Sequence, residues 1–150
     1  MSNNKNDLKP RVGVGVMVIK DNKVLLGQRH PDPEKADSEL HGEGTWTMPG
    51  GKLDFQEELK EAVIREAFEE TSIKVKNLEL ISVSNDFVPD KHFVTIGFLC
   101  NDFEGEVKVM EPDEITEWQW FELNNLPSKV FPPSAKIIKN YLDKKIYQEN

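Results

Sequence analysis

The sequence predicts an α+β domain in which helices cover a mixed β-sheet, an α/β/α layering. Three observations carry this. Valines recur at every second position from Arg11 to Lys20, the period of a strand. Leu59 to about Thr71 has the period and length of an amphipathic helix. The remaining segments run strands, helix, strands, helix, with no internal repeat and no linker composition between them.

The elements follow in order. Val12, Val14, Val16 and Val18 share one face of the first strand. Asp21-Asn22 supplies turn chemistry, and Val24 to Gln28 returns as a second strand, so the two form a hairpin. His30 to Gly44 is rich in Pro, Asp, Glu and Gly and reads as a surface loop near a site. Thr45 to Met48 is a short strand that ends at Pro49-Gly50-Gly51, a turn signal. After the helix, Leu78 to Ser84 and His92 to Cys100 read as strands. Asn101 to Gly105 reads as a turn, and Val107 to Val109 as the start of another strand. Glu117 to Phe121 is a strand with Trp118 and Trp120 on one face. Pro132-Pro133 opens a final helix, Ser134 to about Lys145.

With 150 residues the chain suits one domain, placed here at 11–150, behind a polar N-terminal tail at 1–10. No apolar run reaches the ~18–20 residues of a membrane span, and the first residues lack the apolar centre of a signal peptide. A single cysteine, Cys100, excludes an internal disulfide and reads as a small buried hydrophobe, which fits a reducing cytoplasm. The net charge of −8 speaks against nucleic-acid backbones as partners. It does not speak against small polyphosphates, which acidic groups bind through divalent cations.

The chemistry concentrates on the predicted helix. Glu66, Glu69 and Glu70 stand at i, i+3 and i+4 behind Gly50-Gly51. A charge run on a helix is usually a solvated face, but the phase says otherwise. With Leu59 at zero and ~100° per residue, Ala62, Val63 and Ala67 fall near 300°, 40° and 80°, while Glu66 and Glu70 fall near 340° and 20°. Two carboxylates therefore sit within the apolar stripe, which costs about several kcal/mol each unless cations neutralise them. Oxygen-only ligands select hard cations, so Mg²⁺ is the expected cofactor, with Mn²⁺ as its substitute. Arg65 can pair with Glu69 one turn on and orient a carboxylate beside the metal. Glycine at 50 and 51 allows a sharp turn and close approach to a ligand, and the Gly50 carbonyl is a further candidate metal oxygen.

These residues resemble the Nudix box, G-x5-E-x7-R-E-U-x-E-E-x-G-U with U apolar. Gly51, Glu57, Arg65, Glu66, Ala67, Glu69, Glu70 and Ile73 fall on it, over 23 residues. Ser72 stands where the family has a glycine that caps the helix in a left-handed conformation, and Gln56 where relatives often have glycine. Gly13-Val-Gly-Val16, Leu25-Leu-Gly-Gln-Arg29 and Gly44-Thr-Trp-Thr-Met-Pro-Gly-Gly51 are similar to MutT-like nucleoside triphosphate pyrophosphohydrolases. The resemblance implies an α/β/α sandwich and metal-assisted attack of water on a polyphosphate. It implies a metal shell of the Gly50 carbonyl, Glu66, Glu69 and Glu70, with Glu57 as support. It implies a further acid from a late loop, for which Glu111 is the first candidate and Glu114 the second. The proton acceptor is left open among Glu66, Glu70 and that loop. Arg29 and Lys52 are candidates for phosphate contacts. Phe131-Pro-Pro-Ser134 resembles a segment beside the nucleobase, where relatives carry asparagine instead of Ser134. One hydroxyl cannot reproduce the paired donor and acceptor of an amide, so strict selection of an oxidised guanine is not expected. Phe87, Phe93 and Trp46 are stacking candidates for which core packing is the alternative role.

The expected substrate is a nucleoside (deoxy)triphosphate, cleaved to monophosphate and pyrophosphate. The alternatives are ADP-ribose, signalled by Pro89 sixteen residues after Ile73, and a noncatalytic nucleotide sensor. A homodimer through the N-terminal strand is an expectation from the resemblance alone.

Overall fold

The computed structural model describes residues 8–36 and 40–150, so the expected tail lies largely outside the described residues. Strands β1 (Arg11–Lys20) and β2 (Lys23–Arg29) form the expected hairpin, closed by Asp21 and Asn22 in the left-handed region. β1 is the hub of a mixed sheet. It runs parallel to β7 (Lys91–Cys100) from Arg11 to Val18 and antiparallel to β4 (Gly50–Lys52) at Gly13–Gly15. β6 (Glu79–Val88) continues the sheet beside β7, and β2 carries β3 (Trp46–Thr47) and β9 (Ile115–Glu122).

Two helices cover opposite faces. The even positions of β1 (Val14, Val16 and Val18) pack with Ala62, Val63 and Ala67 of α1 (Leu59–Thr71), together with Ile73, Phe98 and Cys100. Met17, from the odd face, packs with Val24, Leu26 and Met48 against Ile137 and Ile138 of α2 (Pro132–Asp143). Both faces of β1 are covered, which is why it reads as a near-continuous apolar run. Ile137 of α2 seats where the sheet lacks side chains: a β-carbon on Gly15 would come within 3.1 Å of it, and one on Gly97 within 2.7 Å.

The structure corrects three local expectations. Pro49-Gly50-Gly51 is not a turn. Pro49 breaks the chain between β3 and β4, and Gly50 continues as a strand so close to β1 that a β-carbon would meet the Val14 carbonyl at 2.2 Å. Asn101 to Gly105 is not simply a turn either. β8 (Asp102–Glu104) pairs with β5 (Lys74–Lys76), Val75 opposite Phe103, with a Lys76–Glu104 ion pair at 2.6 Å. Three residues are too few to show a period, so neither strand was legible. The only turn residue there is Gly105, in the left-handed region. Val107 to Val109 forms no strand; Lys108 N–H donates to the Thr71 carbonyl at 2.9 Å and Val107 packs on the core.

Helix α1 ends as its sequence anticipates, without the glycine. Ser72 adopts φ 70° and ψ 5°, and its N–H donates to the Phe68 carbonyl. Gln56 also has positive φ, so both departures from the family glycines fall on left-handed backbone. The final helix starts at Pro132 and stops at Asp143, Lys144 taking the left-handed cap position.

Candidate active site

Beside the Gly50–Gly51 strand, between α1 and the start of α2, lies a cavity of about 450 Å³. Its walls bring together residues far apart in the sequence: Glu66, Glu69 and Glu70 from α1, Glu111 and Glu114 from the late loop, and Gly50, Gly51 and Lys52 from β4. The same cavity is also lined by Phe93, Phe131, Pro133 and Ile137, with Gly13 and Gly15 in its wall.

The helix phase behaves as the sequence indicates. Ala62, Val63 and Ala67 are buried, and Glu66 and Glu70 lie beside them. The Glu66 side chain is 17% exposed and that of Glu69 is 51% exposed. Glu70 Oε1 accepts the Gly50 N–H at 2.8 Å, which anchors the deepest carboxylate to β4. Gly51 faces Glu66 so closely that a β-carbon would meet its Oε2 at 2.2 Å.

Arg65 organises the helix side. Its Nε and Nη2 grip the two Glu57 oxygens at 2.8 and 2.9 Å. Nη1 donates to Glu66 at 2.7 Å and Glu69 at 3.1 Å, and Nη2 also reaches the Lys52 carbonyl at 3.1 Å. A planar guanidinium can make this many directed bonds; a lysine cannot. The expected Arg65–Glu69 pair is therefore one bond of a network in which the Lys52 carbonyl ties α1 to β4 and Glu57 ties it to the preceding loop. Glu57 supports the site through Arg65, whose hydrogen bonds lower its carboxyl to about 2.

The acids at the centre move the other way. Burial pushes Glu70 well above the usual carboxylate range, against the Gly50 hydrogen bond, and Glu66, Glu111 and Glu114 add repulsion. Burial also raises Glu66 despite Arg65. Glu111 is raised by burial and by Glu114, Glu66 and Glu69. Carboxylates thus crowd one another around a single space. This excess of all-oxygen, negative donors fits a hard divalent cation. Among the described residues, no three acidic, His or Cys groups form a ready-made metal cage. Arg65 occupies oxygens of Glu66 and Glu69 that a cation would share.

The remaining candidates divide. Lys52 lies exposed in the cavity lining. Arg29 lines the wall, but its Nε donates to the Gly42 carbonyl and its Nη2 to the Ala36 carbonyl. Ser134 also lines the cavity, yet it is buried and its Oγ accepts the Met48 N–H at 3.0 Å with Thr47 Oγ1 at 3.3 Å. That hydroxyl joins α2 to the sheet. Trp46 packs edge-on against Phe121, and Phe87 and Pro89 line a separate cavity of about 150 Å³. Of the three stacking candidates only Phe93 reaches the main cavity. Leu40, Thr47, Thr95, Pro133 and Ile137 were missed as lining residues; paired strand glycines at 13 and 15 were the one signal of close approach there.

The carboxylate-lined cavity on a sheet between two helices is the site of a hydrolase of phosphoric anhydride bonds, the class that the chain's relatives define. The NUDIX domain model matches residues 9–141, and the chain belongs to that family. It is 39% identical over 137 residues to an ADP-ribose pyrophosphatase of Methanocaldococcus jannaschii, covering 90% of this chain and 75% of that protein. It is 31% identical to an RNA pyrophosphohydrolase of Pelagibacter ubique, covering 96% of both. The crystal structure of a MutT NUDIX hydrolase from Burkholderia pseudomallei superposes with a TM-score of 0.79 at 32% identity, over 88% of this chain and 98% of that one. The family generally uses divalent metal ions. Among the described residues no helix is long and apolar enough to cross a membrane.

Proposed function

We propose that this chain is a Mg²⁺-dependent pyrophosphohydrolase that cleaves a nucleoside (deoxy)triphosphate to the monophosphate and pyrophosphate. The observation that carries the reading is the mixed lining of one cavity. Carboxylates and Lys52 suit a metal-neutralised phosphate chain, and Phe93, Phe131, Pro133 and Ile137 in the same cavity suit a base.

Glu66, Glu69, Glu70 and the Gly50 carbonyl would hold the cation, with Glu111 completing the set. When bound, it neutralises phosphate oxygens and acidifies the attacking water. Arg65 fixes the orientation of Glu66 and Glu69, and the Gly50 N–H fixes Glu70. In the reaction the water oxygen forms a bond to phosphorus, the anhydride P–O bond breaks, and a carboxylate receives the water proton. The candidates for that last role are Glu66, Glu70 and the acids of the late loop, all of which line the cavity.

A second reading, ADP-ribose as substrate, is favoured by the M. jannaschii relative. Pro89, the sequence signal for it, lies in the other cavity and adds no support. The test is a panel of NTPs, dNTPs, ADP-ribose, dinucleoside polyphosphates and 5′-triphosphate RNA with Mg²⁺. Pyrophosphate plus monophosphate from a free triphosphate supports the first reading. AMP plus ribose phosphate replaces it with the second. Ligand binding without any product supports a noncatalytic sensor and defeats both.

A further inference from the structure

We propose that Arg29 is a positioning residue that sets the apolar wall of the cavity by clamping three chain segments together. The inference rests on the nucleotide reading for its consequence, and on geometry alone for the clamp.

Arg29 is the last residue of β2, where the pairing with β9 is irregular between Gln28 and Arg29. Its guanidinium contacts both the loop at Ala36 and Gly42 and the ring of Phe131. Nε donates to the Gly42 carbonyl at 3.0 Å, and Nη2 donates to the Ala36 carbonyl at 3.1 Å. Its carbon lies 5.1 Å from the centre of the Phe131 ring, within cation–π range. Main-chain bonds extend the same joint. Arg29 N–H donates to Thr45, and Gly44 N–H returns to the Arg29 carbonyl; His30 N–H donates to Glu114 at 2.8 Å. Phe131 N–H donates to the Trp46 carbonyl at 2.8 Å.

The clamp is tight enough to dictate a residue. A β-carbon on Gly42 would meet Phe131 carbons at 2.5 and 2.6 Å and Arg29 Nε at 3.2 Å. Gly42, Arg29 and Phe131 therefore stack as one unit, and Phe131 presents its ring to the cavity immediately before α2. The two carbonyls engage Nε and one N–H of Nη2 among the five guanidinium N–H groups. Its planar fork, which a lysine ammonium lacks, suits the clamp. The consequence is that Arg29 acts on the nucleoside through Phe131, and on the late acidic loop through the strand end that carries His30.

The experiment compares Arg29→Lys, which keeps the charge, with Gly42→Ala, which keeps Arg29 and wedges the ring. Each is expected to raise KM for the nucleotide about tenfold while kcat stays within about twofold. A nucleoside monophosphate should inhibit each variant correspondingly less, and inorganic pyrophosphate should inhibit as in the parent. Amide hydrogen exchange at Gly44, Thr45 and Phe131 should accelerate in both variants. The clamp is overturned by unchanged exchange in a folded variant, whatever the enzyme hydrolyses. The positioning role is overturned if Arg29→Lys lowers kcat or weakens pyrophosphate inhibition while Gly42→Ala matches the parent; that pattern puts the guanidinium on the phosphates. If the parent hydrolyses no nucleotide, the nucleotide reading falls, and hydrogen exchange still decides the clamp.

Discussion

Glu70→Gln should make the metal-free protein more stable while removing its activity. Glutamine keeps the shape and an oxygen that can accept the Gly50 N–H, now 2.8 Å from Glu70 Oε1. It removes the negative charge that burial and the facing Glu66, Glu111 and Glu114 oppose. Relief of one poorly compensated buried charge is worth about 1–3 kcal/mol. For a domain of this size that is a rise in Tm of roughly 2–10 °C. The sign with pH follows from linkage. A carboxyl whose folded pKa is raised binds more protons in the folded than in the unfolded state, so its effect on stability worsens as pH rises from the ordinary 4.5 through the folded value. The advantage of the glutamine variant should therefore be absent at acid pH and grow toward neutral pH in EDTA. Mg²⁺ should erase it by stabilising the parent more. The assay is thermal melting across that range with EDTA or Mg²⁺, beside pyrophosphate release, where a loss of about a hundredfold or more is expected. A metal-free variant no more stable than the parent at neutral pH would refute the reasoning, and so would near-normal turnover by a folded variant.

Arg65→Lys cannot reproduce the grip on Glu57, Glu66, Glu69 and the Lys52 carbonyl, so stability should fall by about 1–3 kcal/mol and turnover at least tenfold, measured by melting and by steady-state kinetics. Gly51→Ala drives a methyl into the Glu66 carboxylate, 2.2 Å from the new carbon, and should weaken Mg²⁺ activation while the far-ultraviolet spectrum stays that of the parent. Ser72→Gly relaxes a left-handed serine and should stabilise by about 0.5–1 kcal/mol, with kcat unchanged. Acidification should expose the Glu57–Arg65 pair. Glu57 is depressed to about 2, so its stabilising contribution is present above 4.5 and disappears as pH falls toward 2; Glu57→Gln should flatten that acid limb of the stability curve.

The parts of this molecule that repeat a period over many residues were legible in its sequence. The valines of β1 and the apolar stripe of α1 each declare a face, and the phase of that stripe placed Glu66 and Glu70 beside the core. What escaped was set by partners distant in the chain. β5 and β8 exist because each is the other's neighbour, and three residues hold no period. Gly50 looked like a turn because its actual constraint, the Val14 carbonyl across the sheet, is more than thirty residues away. The sequence likewise shows Arg29 and Ser134 as donors without the carbonyls and amide that they meet in the fold.

The seat of Ile137 on Gly15 and Gly97 gives the cavity an adjustable dimension. One face of the recess is α2, and the depth at which that helix rests is set by two missing methyl groups rather than by any group that touches phosphate. A methyl on Gly97 would displace the Ile137 side chain, and one on Gly15 would press on its terminal carbon. The packing depth of this wall is thereby assigned to glycines of the sheet, and the carboxylates to α1 and the late loop.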